Sequence, residues 1–183
     1  MKKTHHMLLT LTLVAVLSSG ALVGVYKYTN PMIKANQQKA LKEAIFQVLP
    51  QAESFEVIVK NNKEIYKGLD SSGNVVGYAF VGEGPGYQGI IKVIIGADPK
   101  LKEIIGIQIL ESVETPGLGQ KITSSSFREQ FHRLDVTSPV KLVKRKPTSS
   151  NEIQAITGAT ISSQAVVDIV NSTVEKVRKL LGY

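Results

Sequence analysis

Two short runs of small and hydroxyl-bearing residues hold the chemical potential of this 183-residue chain. One is Glu114-Thr115-Pro116-Gly117-Leu118-Gly119; the other is Thr157-Gly158-Ala159-Thr160, continued by Ile161, Ser162 and Ser163. Beyond Thr160, residues Val166, Val170, Thr173, Val177 and Leu181 recur at the three-to-four spacing of one buried helical face, so the second run ends where a helix begins. The first N–H groups of a helix have no internal partners and carry the positive end of its dipole. A phosphate held at Thr160 would meet both, with Gly158 and Ala159 leaving room for it. Taken alone, the same residues also fit an ordinary helix cap.

The first run has its own logic. Pro116 fixes one backbone angle, while Gly117 and Gly119 permit conformations closed to other residues and let a flat ring approach the backbone. Leu118 can then lie against such a ring, and Glu114 serves the shape of the loop or contacts a ligand. A plain strand-to-helix turn is the alternative for this loop by itself.

The two runs together, TGATISS and ETPGLG, preceded by a single N-terminal apolar segment, resemble the G subunit of Rnf-type electron-transport complexes. They resemble slightly less closely the C subunit of the sodium-pumping NADH:quinone reductase. The resemblance implies FMN attached through its phosphate to the hydroxyl of Thr160, with Thr157, Gly158, Ala159, Ser162 and Ser163 beside it. It further implies that Glu114, Thr115, Pro116, Gly117, Leu118 and Gly119 line the flavin. A separate flavin transferase would install the group, and the partners would be other subunits of a membrane complex that moves electrons between ferredoxin and NAD and exports Na⁺ or H⁺. One departure stands out: the family pattern has Asp three residues before the motif, and here Gln154 occupies that place, with Glu152 two positions away. A rival of another class is a membrane-anchored binding or structural domain without covalent flavin, in which Thr160 is merely a cap.

Other chemistries find little support. The chain has no Cys, which rules out disulfides, thiolate metal ligands and iron–sulfur clusters within it. His5 and His6 precede the apolar segment and His132 is isolated, so no nucleophile–base pair or His-rich metal site assembles. No G-x-G-x-x-G run opens a helix after a strand, so there is no evident seat for NAD and the flavin is expected to relay electrons between proteins. The net charge is +7, from 22 Lys and Arg against 15 Asp and Glu, but no basic stripe with interleaved aromatics accompanies it, which excludes nucleic acid. Lys144, Arg145 and Lys146 form the one tight basic cluster, suited to anionic lipid headgroups.

These residues need an anchor and a scaffold. From Met7 to Tyr26 the chain carries no charge over about twenty residues, long enough to cross a bilayer core. Ser19, Gly20 and Ala21 offer the alternative of a cleaved signal peptide, but the apolar run continues to Val25, which favours an uncleaved anchor. Lys2, Lys3 and the amino terminus outweigh Lys27 and Lys34 slightly. This predicts a single-pass protein of the inner or plasma membrane with its N-terminus inside and its domain on the extracytoplasmic side. The expected division is 1–29 as cytoplasmic tip and transmembrane anchor, 30–50 as a linker helix starting at Asn30 and Pro31, and 51–183 as one FMN-binding domain. Alternating or β-rich runs at Phe55 to Val59, Ile65 to Leu69, Val75 to Val81, Ile90 to Ile95, Glu103 to Leu110 and Val140 to Lys146 predict strands. Gly82 to Gly89 reads as a broad hairpin loop, and Ser126 to Leu134 as a short helix. That order predicts an α+β fold with a mainly antiparallel sheet and packed helices.

Overall fold

The computed structural model describes residues 2–183. It divides into two compact units, Met1–Ala40 and Leu41–Tyr183. The described residues of the first are all helical, part of α1 (Lys2–Val48), whose apolar stretch is long enough to cross a membrane. The expected helix start at Asn30 and Pro31 is not seen, because α1 passes through Pro31. An N-cap satisfies free N–H groups only where a chain enters a helix, and here the preceding apolar segment is already helical. Asn30 therefore has nothing to cap, and Pro31 is accommodated with the loss of one backbone bond.

In the second unit six strands form one antiparallel sheet in sequence order: β1 (Ser54–Lys60), β2 (Lys63–Leu69), β3 (Val75–Pro85), β4 (Ile90–Ala97), β5 (Glu103–Glu111) and β6 (Leu134–Asp135). A 3-10 turn (Gly119–Thr123), the short helix α2 (Ser125–Arg128) and another 3-10 turn (Glu129–Phe131) lie between β5 and β6. Strands β7 (Lys141–Val143) and β8 (Glu152–Gln154) pair in parallel, and α3 (Thr160–Leu181) closes the chain. The α+β expectation holds.

Register explains the two-sided core. Ile65 pairs with Phe80, Phe80 with Ile95 and Ile95 with Ile107, so one face presents a continuous apolar row. On it lies α3, burying Val166, Val170, Thr173, Val174 and Val177, while Leu181 at its end is only half-buried. On the opposite face Tyr66, Ala79 and Ile94 pack with Ala44, Ile45 and Val48 from the last turns of α1 and with Leu49. The approach there is close. A Cβ at Gly96 would stand 2.9 Å from Val48 Cβ, with the Val48 carbonyl nearer still.

Two local expectations are corrected. Strand β3 runs on to Pro85, so the glycine-rich stretch begins as strand and only its end is a turn, closed by Gly86 N to Gly89 O at 2.7 Å. The missing side chains there make room for α3, since a Cβ on Gly84 would lie 2.8 Å from Ile169 Cγ1. The helix expected from Ser126 is a single turn running into 3-10 geometry, and Leu134 already belongs to β6. The strand expected at Phe55 to Val59 is present as β1, in which Val57 and Val59 are exposed while Phe55 packs edge-on to Tyr66 with ring centres 5.7 Å apart.

Candidate functional site

Strand β5 delivers the chain to the Glu114–Gly119 loop. Leu118 N donates to Thr115 O at 3.2 Å, with Pro116 and Gly117 between them and Gly117 at φ +74, the residue pattern of a type II turn. The second run is built the same way. Ala159 N donates to Ile156 O at 2.9 Å, and Gly158 sits third in the turn at φ +81. Ser163, fully buried, fastens this turn to α3 by accepting from Ile156 N at 3.1 Å and donating to Ala159 O at 2.9 Å.

Between the two loops lies an open cavity of about 340 Å³. Of the residues singled out in the sequence, Glu114, Thr115, Leu118, Gly119, Gly158, Ala159, Thr160 and Ser162 line it. Thr157, Pro116, Gly117 and Ser163 do not: the first three shape the turns and Ser163 lies beneath one of them. Tyr87 and Ile161 complete the wall and were not anticipated. Tyr87 comes from the β3–β4 turn, whose only sequence signal was its glycines.

The helix end is open. The N-cap position of α3 is Ala159, no side chain caps it, and its first intrahelical bond runs from Ser163 N to Ala159 O at 3.0 Å. The N–H groups of Thr160, Ile161 and Ser162 precede that bond, as helix geometry requires. Thr160 is exposed and its hydroxyl makes no hydrogen bond among the described residues. Free donors, the positive end of a 22-residue helix and an unengaged hydroxyl therefore meet at the rim of a cavity.

Glu114 holds the wall together. It is 4% exposed, and its carboxylate accepts from Gln88 N at 3.0 Å and from the Ser162 hydroxyl. Burial alone would raise its pKa, but the bonds from Ser162 and from the backbone of Gln88, Tyr87 and Gly89 outweigh that and hold it below the ordinary 4.5. The Thr115 hydroxyl adds a bond to Gln88 Oε1 at 3.0 Å. Gly119 is needed here, because a Cβ on it would stand 2.6 Å from both Glu114 Oε2 and Ser162 Oγ.

The neighbouring segment explains the fate of two other candidates. Gln154 in β8 is tied by its backbone to the side chain of Gln130, at 2.8 Å from N and 3.3 Å from O. Glu152 is engaged by both terminal nitrogens of Arg145 at 2.9 Å and by Thr148 N at 2.8 Å, which lowers its pKa to about 2. Glu152 is thus committed elsewhere and does not replace an Asp at position 154.

The FMN-binding domain family matches residues 86–175, which span the whole cavity wall, and the RnfG N-terminal region matches residues 9–48. A flavin suits what is there: an open helix end for a phosphate, a free hydroxyl, and apolar Tyr87, Leu118 and Ile161 for a flat ring. The G subunit of an ion-translocating oxidoreductase complex from Methanosarcina acetivorans is 36% identical over 96% of this chain and 95% of its own. The G subunit of the proton-translocating ferredoxin:NAD(+) oxidoreductase complex of Clostridium ljungdahlii is 30% identical over 94% of this chain and 90% of its own. Among solved structures, NqrC of Shewanella oneidensis superposes with a TM-score of 0.59 at 19% identity, over 70% of this chain and 66% of that one, and shows the shared fold. The N-terminal match, the flavin domain and these full-length likenesses agree, and the chain belongs to the RnfG family of ion-translocating oxidoreductase complexes, as a membrane-anchored electron-transfer component with an FMN-binding domain.

Proposed function

We propose that Thr160 Oγ1 carries FMN as a phosphoester, and that the domain relays electrons between neighbouring subunits of a ferredoxin:NAD oxidoreductase that exports Na⁺ or H⁺. The observation that carries this reading is the state of Thr160. A capping threonine would turn its hydroxyl back onto the helix, whereas this one is exposed, unbonded and one residue past the N-cap position. When bound, the flavin supplies reversible uptake and release of electrons.

The chain's residues then have distinct tasks. Thr160 would fix the phosphate covalently, and the N–H groups of Ile161 and Ser162 would offset its charge. Leu118, Tyr87 and Ile161 would hold the apolar ring and keep water from part of it. Gly158 and Gly119 leave the space. The turns at Pro116–Gly117 and Thr157–Gly158 set the distance between the two loops. A flavin transferase would act on the stretch before Thr160, where Gln154 stands. Lys144 and Lys146 remain available to anionic lipid, since Arg145 is occupied by Glu152.

The experiment is intact mass and ultraviolet fluorescence in a denaturing gel, on full-length protein made with a co-expressed flavin transferase. The expected result is a mass increase of one FMN less water and a fluorescent band, both absent from Thr160→Ala. Retention of the fluorescence in Thr160→Ala would overturn the assignment.

A further inference from the structure

Glu114 is the one buried carboxylate among the described residues, and it faces a cavity wall rather than a cation. The ion pairs of the described residues involve Lys67, Lys92, Arg145 and Lys179, none of them with Glu114. Its partners are neutral donors from two other segments, the β3–β4 turn and the first turn of α3. The backbone is shaped around it, with Gly86 and Gly119 both lacking room for a Cβ beside its oxygens. A glutamate needed only as a brace could be replaced by a neutral amide, whereas this site gathers donors that favour the charged form.

We propose that Glu114 is a fixed, unpaired negative charge that sets the electron affinity of the flavin held in this cavity, making it harder to reduce. The inference rests on the flavin reading above. An electron added beside an anion costs more when the two share a partly buried site, where solvent screens poorly and no cation intervenes. Ser162 has a second task in this arrangement. Its hydroxyl draws charge density away from the ring side of the carboxylate and so tempers the effect. Glu114 is a positioning and charge-setting residue and carries no bond to the substrate.

The two residues give opposite signs, which separates charge from mere bracing. In full-length flavinylated protein, a redox titration followed by flavin absorbance should show a higher midpoint potential for Glu114→Gln than for wild type. Ser162→Ala keeps the charge and removes one donor, so its midpoint should be lower than that of wild type. A loosened cavity would move both variants in the same direction. The proposal is overturned by a midpoint in Glu114→Gln equal to or below that of wild type, or by a midpoint in Ser162→Ala that does not fall. If Glu114→Gln takes up no flavin, Ser162→Ala alone decides. Failure of the flavin reading has a different signature, a wild-type protein without a fluorescent band in the denaturing gel.

Discussion

Leu118, in the loop after β5, lies against Gly158, in the loop before α3: a methyl group on Gly158 would stand 3.4 Å from Leu118 Cδ2. The two motifs face each other closely enough that such a methyl group would just reach ordinary contact with Leu118, so it is the backbone angle rather than space that calls for glycine. Gly158→Ala forces a side-chain-bearing residue to φ +81, so it should cost about 1–2 kcal/mol through backbone strain and reduce flavin loading. Thermal unfolding and gel fluorescence of the same preparation check both.

Gly82 supports α3 from below, where an added Cβ would come within 2.9 Å of Ile169 Cγ2 and 3.1 Å of Thr173 Cβ. Gly82→Ala should therefore overpack the helix and sheet and lower stability by about 1–3 kcal/mol. Gly73, with nothing near it but a positive φ of +80, serves as a contrast. Its alanine variant should lose stability through backbone strain alone. Urea unfolding of the two variants compares crowding with strain.

Acid should act late. Glu114 and Glu152 both have folded-state pKa values depressed below the usual 4.5. Depressed carboxylates stabilise the fold fully above the unfolded value and lose that contribution as pH falls through the folded one. Stability should accordingly stay level from neutrality to about pH 5 and fall between about pH 4.5 and 2. Glu114→Gln should be less stable at neutral pH and lose less on acidification. Urea midpoints measured across this range provide the check.

The slight excess of positive charge before the apolar segment predicts a domain on the extracytoplasmic side. In cells made permeable only at their outer layer, added protease should digest the domain, and immunoblotting against residues of α3 reports the loss. Protection there, with digestion in inverted vesicles, would place the domain in the cytoplasm.

Much of the fold was legible because local pattern and tertiary demand agree. The β-branched runs around Ile94 and Ile107 became strands, and the valine spacing after Thr160 became the buried face of α3. Legibility failed where a residue's role depends on what packs against it. Gly82 and Gly84 read as loop by composition, yet they are strand because α3 needs their bare surface. Asn30 and Pro31 read as a helix start, since capping preferences cannot reveal that the preceding turn is already helical. At the site, the position of Thr160 at the helix mouth was visible in the spacing, whereas the reach of Glu114 to Gln88 and Ser162 requires three segments to converge and leaves no local trace.

The placement of α3 after every strand has a consequence for biosynthesis. The strands from β1 to β5 can pair through neighbouring hairpins as they leave the ribosome, because each meets the one just made. Their apolar row stays uncovered until the 22-residue helix α3 emerges, and Arg178 near its end completes the closure by donating to Leu101 O at 3.2 Å and to Val136 O at 2.8 Å. That face is shielded only once α3 has left the ribosome, so a nascent chain that has completed β5 still exposes it and is open to aggregation or chaperone capture.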